Sequence, residues 1–220
     1  MQQILIAGTN GMMGKLILDS CLQRPDVAKV TSITRKPLGF SHPKLQEIIH
    51  NDFLDLAAIE AYFNGQDICF YCLGVYTGAV AREAFRTITI AYTRVFAETL
   101  KRQSPNATFC FLSGQGADRT GKSKLMFAHD KGMAEGILES SDFGRLFIFR
   151  PGYIYPVSPR VEPIFFYRIS RILYKPVLSK LYPNIGLTSI QLANAMIKAG
   201  FEGGDKIIYE NKNIKQLLAE

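Results

Sequence analysis

Long apolar runs are missing from this sequence of 220 residues. No stretch is long enough to cross a bilayer, and the chain opens on a short strand-like run, Ile4 to Ala7, without the basic start and long apolar core of a signal peptide. Both absences argue against a membrane-embedded or exported protein. We therefore expect a cytoplasmic protein, and a content of 47% apolar residues with mixed charge is typical of a globular one.

Cysteine is scarce, and its four positions show no disulfide framework. Cys21, Cys69, Cys72 and Cys110 each lie among apolar neighbours, as buried thiols do. Cys69 and Cys72 have the spacing of a redox pair, but residues three apart in a strand point to opposite faces. We expect neither a metal ion nor a redox couple.

Long basic runs are also absent, although 26 lysines and arginines against 19 aspartates and glutamates give a net charge of +7. Such a charge suits nucleic acid, an anionic membrane surface or an anionic small ligand. No zinc-finger spacing, basic helix or aromatic RNA-binding signature accompanies the dispersed basic residues. We expect no nucleic-acid partner and favour a small-molecule ligand over a membrane surface.

Short apolar runs alternate with stretches of helical periodicity along the first two thirds of the chain. This alternation predicts an α/β fold, a doubly wound parallel sheet with helices on both faces. The predicted strands are Ile4–Ala7, Lys29–Thr34, Glu47–His50, Asp67–Leu73, Thr108–Leu112 and Arg145–Phe149.

The alternation weakens after Arg150, where prolines cluster. We therefore expect a first domain over 1–155 and a small C-terminal helical cap over 156–220 that completes the same fold, with a last strand at 206–210. Within it, Leu187-Thr188-Ser189 offers an N-cap to a helix that runs through Ala199.

Three glycines follow the first predicted strand in the stretch GTNGMMG, and a helix predicted from Lys15 to Leu22 comes directly after them. Glycine lets backbone N–H groups approach a pyrophosphate closely, and the start of a helix adds partial positive charge. Strand, turn and helix together predict a dinucleotide site. Its expected contacts are Gly8, Thr9, Asn10, Gly11, Met12, Met13 and Gly14, with the two methionines offering only their backbone.

The end of the second strand predicts which dinucleotide is bound. An acid there would accept from the 2′-hydroxyl of NAD, whereas a base would hold the 2′-phosphate of NADP. The strand ends in Arg35 and Lys36, and Asp26 precedes it. The pair favours NADP(H), with a solvated surface pair as the alternative. Residues at the ends of the later predicted strands are further expected cofactor contacts. They are Asp52 and Phe53 near the adenine, and Gly74, Pro151 and Gly152.

The order of sequence blocks resembles the atypical short-chain dehydrogenase/reductases, and most specifically their Tat-interacting, metastasis-suppressor-like branch. The blocks, across roughly residues 4 to 155, are GTNGMMG, DICFYCLG, REAFRTITIAYT, FLSGQGAD, a helix with KG, and FRPGYIY. The resemblance implies a Rossmann-type sheet, bound NADP(H), and either an oxidoreductase or an enzyme-derived regulator.

Reductases of that family use a serine, a tyrosine and a lysine. The serine holds the carbonyl oxygen, the tyrosine transfers the proton, and the lysine binds the nicotinamide ribose and lowers the pKa of the tyrosine. Ser113 and Lys131 match the serine and the lysine. Phe127 stands at the tyrosine position and has no proton to give, and no tyrosine occurs between Tyr92 and Tyr153.

Other residues are candidates for the missing proton donor. His129 would point about 200° away from the helix face of residues 127 and 131, which makes it a poor substitute. Tyr153 and Tyr155 follow a strand end on the cofactor side and are better candidates, and Tyr153 completes the predicted catalytic set. Alternatively, Ser113 and Lys131 only hold cofactor oxygens, and the substrate is one that needs no strong acid.

The sequence thus predicts an NADPH-dependent oxidoreductase of a small carbonyl, quinone or activated-alkene substrate. A cofactor-binding regulator or scaffold without turnover is the alternative, and a nucleotide-sugar isomerase is weaker, since its chemistry also uses the missing tyrosine. The aromatic and basic stretch 162–182 is expected to pack over the substrate cleft, with a contact between subunits of a homo-oligomer or a membrane surface as alternatives.

Overall fold

A computed structural model describes residues 1–157 and 186–219 of the protein. Its centre is a seven-stranded parallel sheet in the order β3-β2-β1-β4-β5-β6-β9, and β7 and β8 form a separate parallel pair. The predicted α/β class and parallel sheet are confirmed. The strands are β1 (Gln2–Ala7), β2 (Val27–Thr34), β3 (Leu45–Ile49), β4 (Ile68–Tyr71), β5 (Thr108–Leu112), β6 (Arg145–Arg150), β7 (Tyr153–Tyr155), β8 (Gly186–Thr188) and β9 (Ile208–Glu210).

Helices connect the strands and cover both faces of the sheet. They are α1 (Met12–Gln23), α2 (Arg82–Arg86), α3 (Tyr92–Gln103), α4 (Met126–Ser140), α5 (Ser189–Glu202) and α6 (Asn211–Ala219), with a 3-10 helix at Ala57–Phe63 and a π-helical turn at Thr87–Ala91. In the described part of the chain, no helix is long and apolar enough to span a membrane.

The alternation of side chains along the strands builds two cores, one on each face. In β1, Ile4 and Ile6 pack with α1, α5 and α6, whereas Leu5 packs on the other face with α3 and α4. Burying a side chain of this size stabilises the fold by roughly 1.5–3 kcal/mol. Cys69 belongs to the second core and Cys72 packs against the first, which confirms that the two thiols face opposite ways.

The strand order reverses between β1 and β4. The chain runs outward from β1 through β2 to β3, and then returns to place β4 against the free side of β1, with Ala7 opposite Tyr71. Loops from the two halves diverge at the carboxyl ends of these strands and leave a crevice, which is where open α/β sheets bind ligands.

The observed bounds of the predicted strands differ from the expected ones by at most two residues. Helix α1 begins at Met12 and not at Lys15, because Gly11 already serves as its N-cap. Helix α5 starts with a capping box, in which the Thr188 hydroxyl accepts from the N–H of Gln191 at 3.1 Å, as the predicted N-cap requires. It continues past Ala199 to Glu202.

The C-terminal residues 186–219 complete the sheet domain. Strand β9 lies within the predicted stretch 206–210 and pairs with β6, while α5 and α6 cover one face. Helix α6 was not predicted. The stretch 162–182, expected over the substrate cleft, lies outside the described residues.

Candidate cofactor and active site

The glycine turn lies at the crevice, between β1 and α1. Gly8 has a φ of +88°, and a β-carbon there would lie 2.8 Å from the carbonyl oxygen of Cys72. A β-carbon on Gly14 would overlap the carbonyl oxygen of Gly8. Side chains are therefore excluded at both positions, which keeps the turn tight and lets α1 approach it closely.

The start of α1 is left open to a ligand. Its N-cap, Gly11, makes no side-chain hydrogen bond, and the first turn contains no acidic residue. An uncapped helix start attracts an anion through its N–H groups and its dipole. Met13 is buried in the core and Met12 packs against the core, so each would contact a ligand through its backbone N–H group.

The polar residues of the turn are engaged with β2. Thr9 is fully buried, and its hydroxyl lies 2.8 Å from that of Ser32. The Asn10 amide donates to Oγ1 of Thr34 at 2.5 Å and to the carbonyl oxygen of Lys36 at 2.8 Å. The side chain of Thr9 is therefore not available to a cofactor, and only its backbone could make the predicted contact.

The end of β2 presents two exposed cations. Arg35 and Lys36 are solvent-exposed, and neither forms an ion pair with another residue among 1–157 and 186–219. Asp26 is bound by Arg24 at 2.6 Å at the beginning of the strand. The end of β2 thus carries positive charge without a neutralising partner in the described structure.

The predicted cofactor contacts after β3 and β4 differ in exposure. Asp52 is exposed, and its Oδ1 accepts from the N–H of Leu54 at 2.9 Å. The Phe53 ring is 1% exposed and stacks on Tyr92 with 5.5 Å between centroids, so its side chain belongs to the core and is not open to an adenine. Gly74 borders open space, since a β-carbon there would meet no atom within 4 Å.

A cleft of about 420 Å³ leads from the glycine turn to the ends of β5 and β6. It brings together the predicted catalytic residues Ser113, Lys131 and Tyr153, whereas the residues at the ends of β2 and β3 lie outside it. The lining is Gly11, Met12, Met13, Cys72, Leu73, Gly74, Val75, Tyr76, Thr77, Leu112, Ser113, Gly114, Phe127, Lys131, Pro151, Gly152, Tyr153 and Ile154.

Ser113 is bound to a buried carboxylate. Its Oγ donates to Oε1 of Glu135 at 2.5 Å, and Glu135 is fully buried. Arg150 reaches Oε2 of Glu135 at 2.5 Å, and Arg119 reaches the same oxygen at 3.1 Å. Hydrogen bonding to Glu135 also raises the pKa of Arg150. Because an ionised carboxylate only accepts, the single hydroxyl proton of Ser113 is committed to Glu135, and Ser113 offers lone pairs to the cleft.

Lys131 lies in the cleft wall on α4. It is 8% exposed, its Nζ donates to the carbonyl oxygen of Leu112 at 3.1 Å, and the Phe111 ring centroid is 5.0 Å away. Burial lowers the pKa of Lys131 to about 8, against a smaller opposing effect of Glu135. The amine can therefore hold or release a proton near neutral pH.

No phenol occupies position 127. The Phe127 ring lies against Gly114, and a β-carbon at position 114 would overlap Cζ of the ring. Tyr153 in β7 lines the same cleft, while Tyr155 and His129 are not part of the lining. The Nδ1 of His129 lies 2.9 Å from the carboxylate of Asp130.

The group formed by Glu135, Arg150 and Arg119 was not predicted from the sequence. Glu135 could have been found, because it follows Lys131 by one helical turn and shares its face of α4. Arg150 is the last residue of β6, which pairs with β5, and Ser113 follows the end of β5 directly. Arg119 comes from a loop and gave no signal. Within residues 1–157 and 186–219, no group of His, Cys, Asp and Glu side chains is arranged to hold a metal ion.

Comparison with known proteins gives a family match and similarity to a curated protein. Residues 4–124 match the model of the NAD dependent epimerase/dehydratase family. Protein HTATIP2 of Rattus norvegicus is 30% identical over 156 residues, which are 70% of this chain and 63% of that protein. The match thus spans less than two thirds of the relative's length.

Solved structures show the same fold at lower identity. WbmH of Bordetella bronchiseptica, solved in complex with NAD+, superposes with a TM-score of 0.69 at 19% identity, over 95% of this chain and 74% of that one. A short chain dehydrogenase family protein of Francisella tularensis gives a TM-score of 0.64 at 15% identity, over 92% of both chains. These similarities confirm a Rossmann-like sheet.

Proposed function

The chain belongs to the NAD dependent epimerase/dehydratase family, and on that basis we propose that it is an NADP(H)-dependent oxidoreductase of a small carbonyl, quinone or activated-alkene substrate. The observation that carries this proposal is the continuity of the cleft, which joins the glycine turn to Ser113 and Lys131. A dinucleotide bound by the turn would extend toward these side chains.

The residues present suit a dinucleotide. The turn at Gly8 and Gly14 has no room for side chains, and the open start of α1 can receive a pyrophosphate. Arg35 and Lys36 would hold the 2′-phosphate, and Asp52 is available to the adenine. When bound, the reduced cofactor supplies a hydride ion for transfer to the substrate.

The side chains around the reacting end have distinct roles. Lys131, fixed by the carbonyl oxygen of Leu112, would hold the nicotinamide ribose. Ser113 would accept a hydrogen bond from a ribose or substrate hydroxyl, since its own proton goes to Glu135. Phe127 cannot transfer a proton, so we assign that role to Tyr153, which lines the cleft.

One observation favours a second function. Phe127 removes the hydroxyl at a position where the resembling reductases have a tyrosine, and the loss of a general acid costs about 10²- to 10⁴-fold in rate. A protein that binds NADP(H) and passes its redox state to a partner, without turnover, is the alternative.

Cofactor binding and turnover are tested in one series. The purified chain is titrated with NADPH and NADH, and the absorbance of NADPH is then followed with a panel of aldehydes, ketones and quinones. We expect tighter binding of NADPH and turnover of at least one panel member. Tight binding without turnover favours the regulator, and tighter binding of NADH contradicts the assigned cofactor.

A matched pair of glycine variants tests the turn itself. In Gly14→Ala the new β-carbon overlaps the carbonyl oxygen of Gly8, so binding of both cofactors should be lost. Gly136→Ala adds the same methyl group to α4, where it meets no atom within 4 Å, and should bind like the wild type. If the two variants bind equally, the glycine turn does not hold the cofactor.

A further inference from the structure

Asn10 forms a three-residue hydrogen-bond network with Thr34 and Lys36. Its Nδ2 donates to Oγ1 of Thr34 and to the carbonyl oxygen of Lys36, at 2.5 and 2.8 Å. The Thr34 hydroxyl donates to the same carbonyl oxygen at 3.0 Å. Thr34 is buried, with 4% of its surface exposed, so this network is anchored in the sheet.

The direction of every proton in the network is fixed by chemistry. A backbone carbonyl oxygen only accepts, so the amide group of Asn10 must point its nitrogen toward Lys36. The Thr34 hydroxyl gives its one proton to Lys36 and therefore accepts from Asn10. Both amide protons of Asn10 are engaged in these hydrogen bonds, so its side chain has no proton left to donate to a cofactor phosphate.

The network joins the glycine turn to the loop that follows β2. Asn10 stands between Gly8 and Gly11 in the turn proposed to hold the pyrophosphate, and Lys36 follows β2 beside Arg35. Neither cation is ion-paired with a described residue. The two bonds donated by Asn10, to the carbonyl oxygen of Lys36 and to Oγ1 of Thr34, join the chain after β2 to the turn. A loop held in its binding position loses less conformational entropy on binding.

We propose that Asn10 is a positioning residue for the choice between NADP(H) and NAD(H), which rests on the proposed function. By clamping the chain after β2 it keeps Arg35 and Lys36 at the distance from the glycine turn that a 2′-phosphate requires. NAD(H) has no 2′-phosphate and gains little from the clamp.

The test measures the dissociation constants of NADPH and NADH on the full chain by nicotinamide fluorescence. For Asn10→Ala we expect NADPH to bind about tenfold more weakly, the size of two lost hydrogen bonds, and NADH to change by less than about twofold. Asn213→Ala removes a half-buried amide on α6, away from the glycine turn, and is the matched control.

A second pair of variants changes the network from its other side. Thr34→Val removes the hydroxyl at nearly constant shape and should lower the affinity for NADPH selectively. Thr34→Ser keeps the hydroxyl and should restore the preference of the wild type. This pair decides the question if Asn10→Ala does not fold.

The outcomes distinguish a failure of the proposed role of Asn10 from a failure of the proposed function. Equal losses of both cofactors in Asn10→Ala and Thr34→Val would overturn the selectivity role, and so would no loss at all. A wild-type chain that binds neither cofactor would instead overturn the proposed function. A wild-type chain that binds NADPH, with variants of unchanged selectivity, would leave the proposed function intact and reject this inference alone.

Discussion

The Phe127 ring fills the space that a side chain at Gly114 would need. A β-carbon on Gly114 would overlap Cζ of Phe127, and Cε1 of the ring is 3.3 Å from the same point. Phe85 backs the ring, with 6.5 Å between centroids. The position of the Phe127 ring therefore requires that residue 114 has no side chain, and the cleft has an apolar wall where the resembling reductases have a proton donor.

Phe127→Tyr should restore a proton donor at this wall. If the chain is a reductase limited by proton transfer, the rate with aldehydes and ketones should rise about tenfold or more, within the range that general acids contribute. The measurement is the loss of NADPH absorbance at saturating cofactor. Phe40→Tyr places the same hydroxyl on an exposed ring and serves as the control. An unchanged rate would show that the proton comes from another group, such as Tyr153.

Glu135→Gln should destabilise the fold. The substitution removes a fully buried charge that two arginines, Arg150 and Arg119, both contact. Breaking such a buried pair costs about 3 kcal/mol in the free energy of unfolding, because the remaining cations lose their partner. Urea unfolding at neutral pH measures it.

Glu139→Gln is the matched control, because Glu139 binds Arg119 with a side chain that is 51% exposed. It should cost below about 1 kcal/mol. Equal effects of the two substitutions would mean that Glu135 is not held as a buried anion.

The stability of the protein should depend on Lys131 at alkaline pH. Burial lowers the pKa of Lys131 from 10.5 to about 8. Between these values the unfolded chain binds more protons than the folded one, so the contribution of Lys131 to the free energy of unfolding rises with pH. The rise amounts to at most about 3 kcal/mol, and below the folded pKa the full cost of the buried charge remains.

Lys131→Met isolates this contribution from that of the other titrating groups. Its stability advantage over the wild type should be largest near neutral pH and should shrink toward about pH 10. The check is urea unfolding at a series of pH values. Lys124→Met changes an exposed lysine and should follow the wild type. Parallel curves for Lys131→Met and the wild type would show that Lys131 is not buried as a charge.

Arg35→Asp should reverse the cofactor preference. The new carboxylate would repel the 2′-phosphate and accept from a 2′-hydroxyl, so NADPH should bind about tenfold more weakly or worse, and NADH more tightly. Arg94→Asp makes the same charge change on the exposed side of α3. If both variants weaken NADPH alike, the effect is one of net charge and not of a contact at Arg35.

Much of the fold could be predicted because its signals are local. Apolar runs and helical periods predicted seven of the nine described strands to within two residues, although not β7 and β8. The glycine turn followed from three residues between a strand and a helix. The capping box at Thr188 was also readable, since its partners are three residues apart. Such features depend on backbone sterics and short spacings, which the sequence displays directly.

Individual site residues were harder to predict than elements. Thr9 and Phe53 stand at positions typical of cofactor contacts, yet the structure buries both side chains. Which way a side chain at a strand end turns depends on the neighbours it meets, here Ser32 and Tyr92. Their backbone contacts with a cofactor remain predictions.

The sequence by itself determined the parallel sheet, the glycine turn at the start of α1, and the absence of a phenol at Phe127. Only the tertiary structure decided that Ser113 gives its proton to Glu135, that the side chain of Lys131 is buried, and that Asn10 binds the loop after β2. The reason is physical. Hydrogen bonds and desolvation act between atoms that are close in space, and in these groups the chain brings together residues 19 to 26 positions apart.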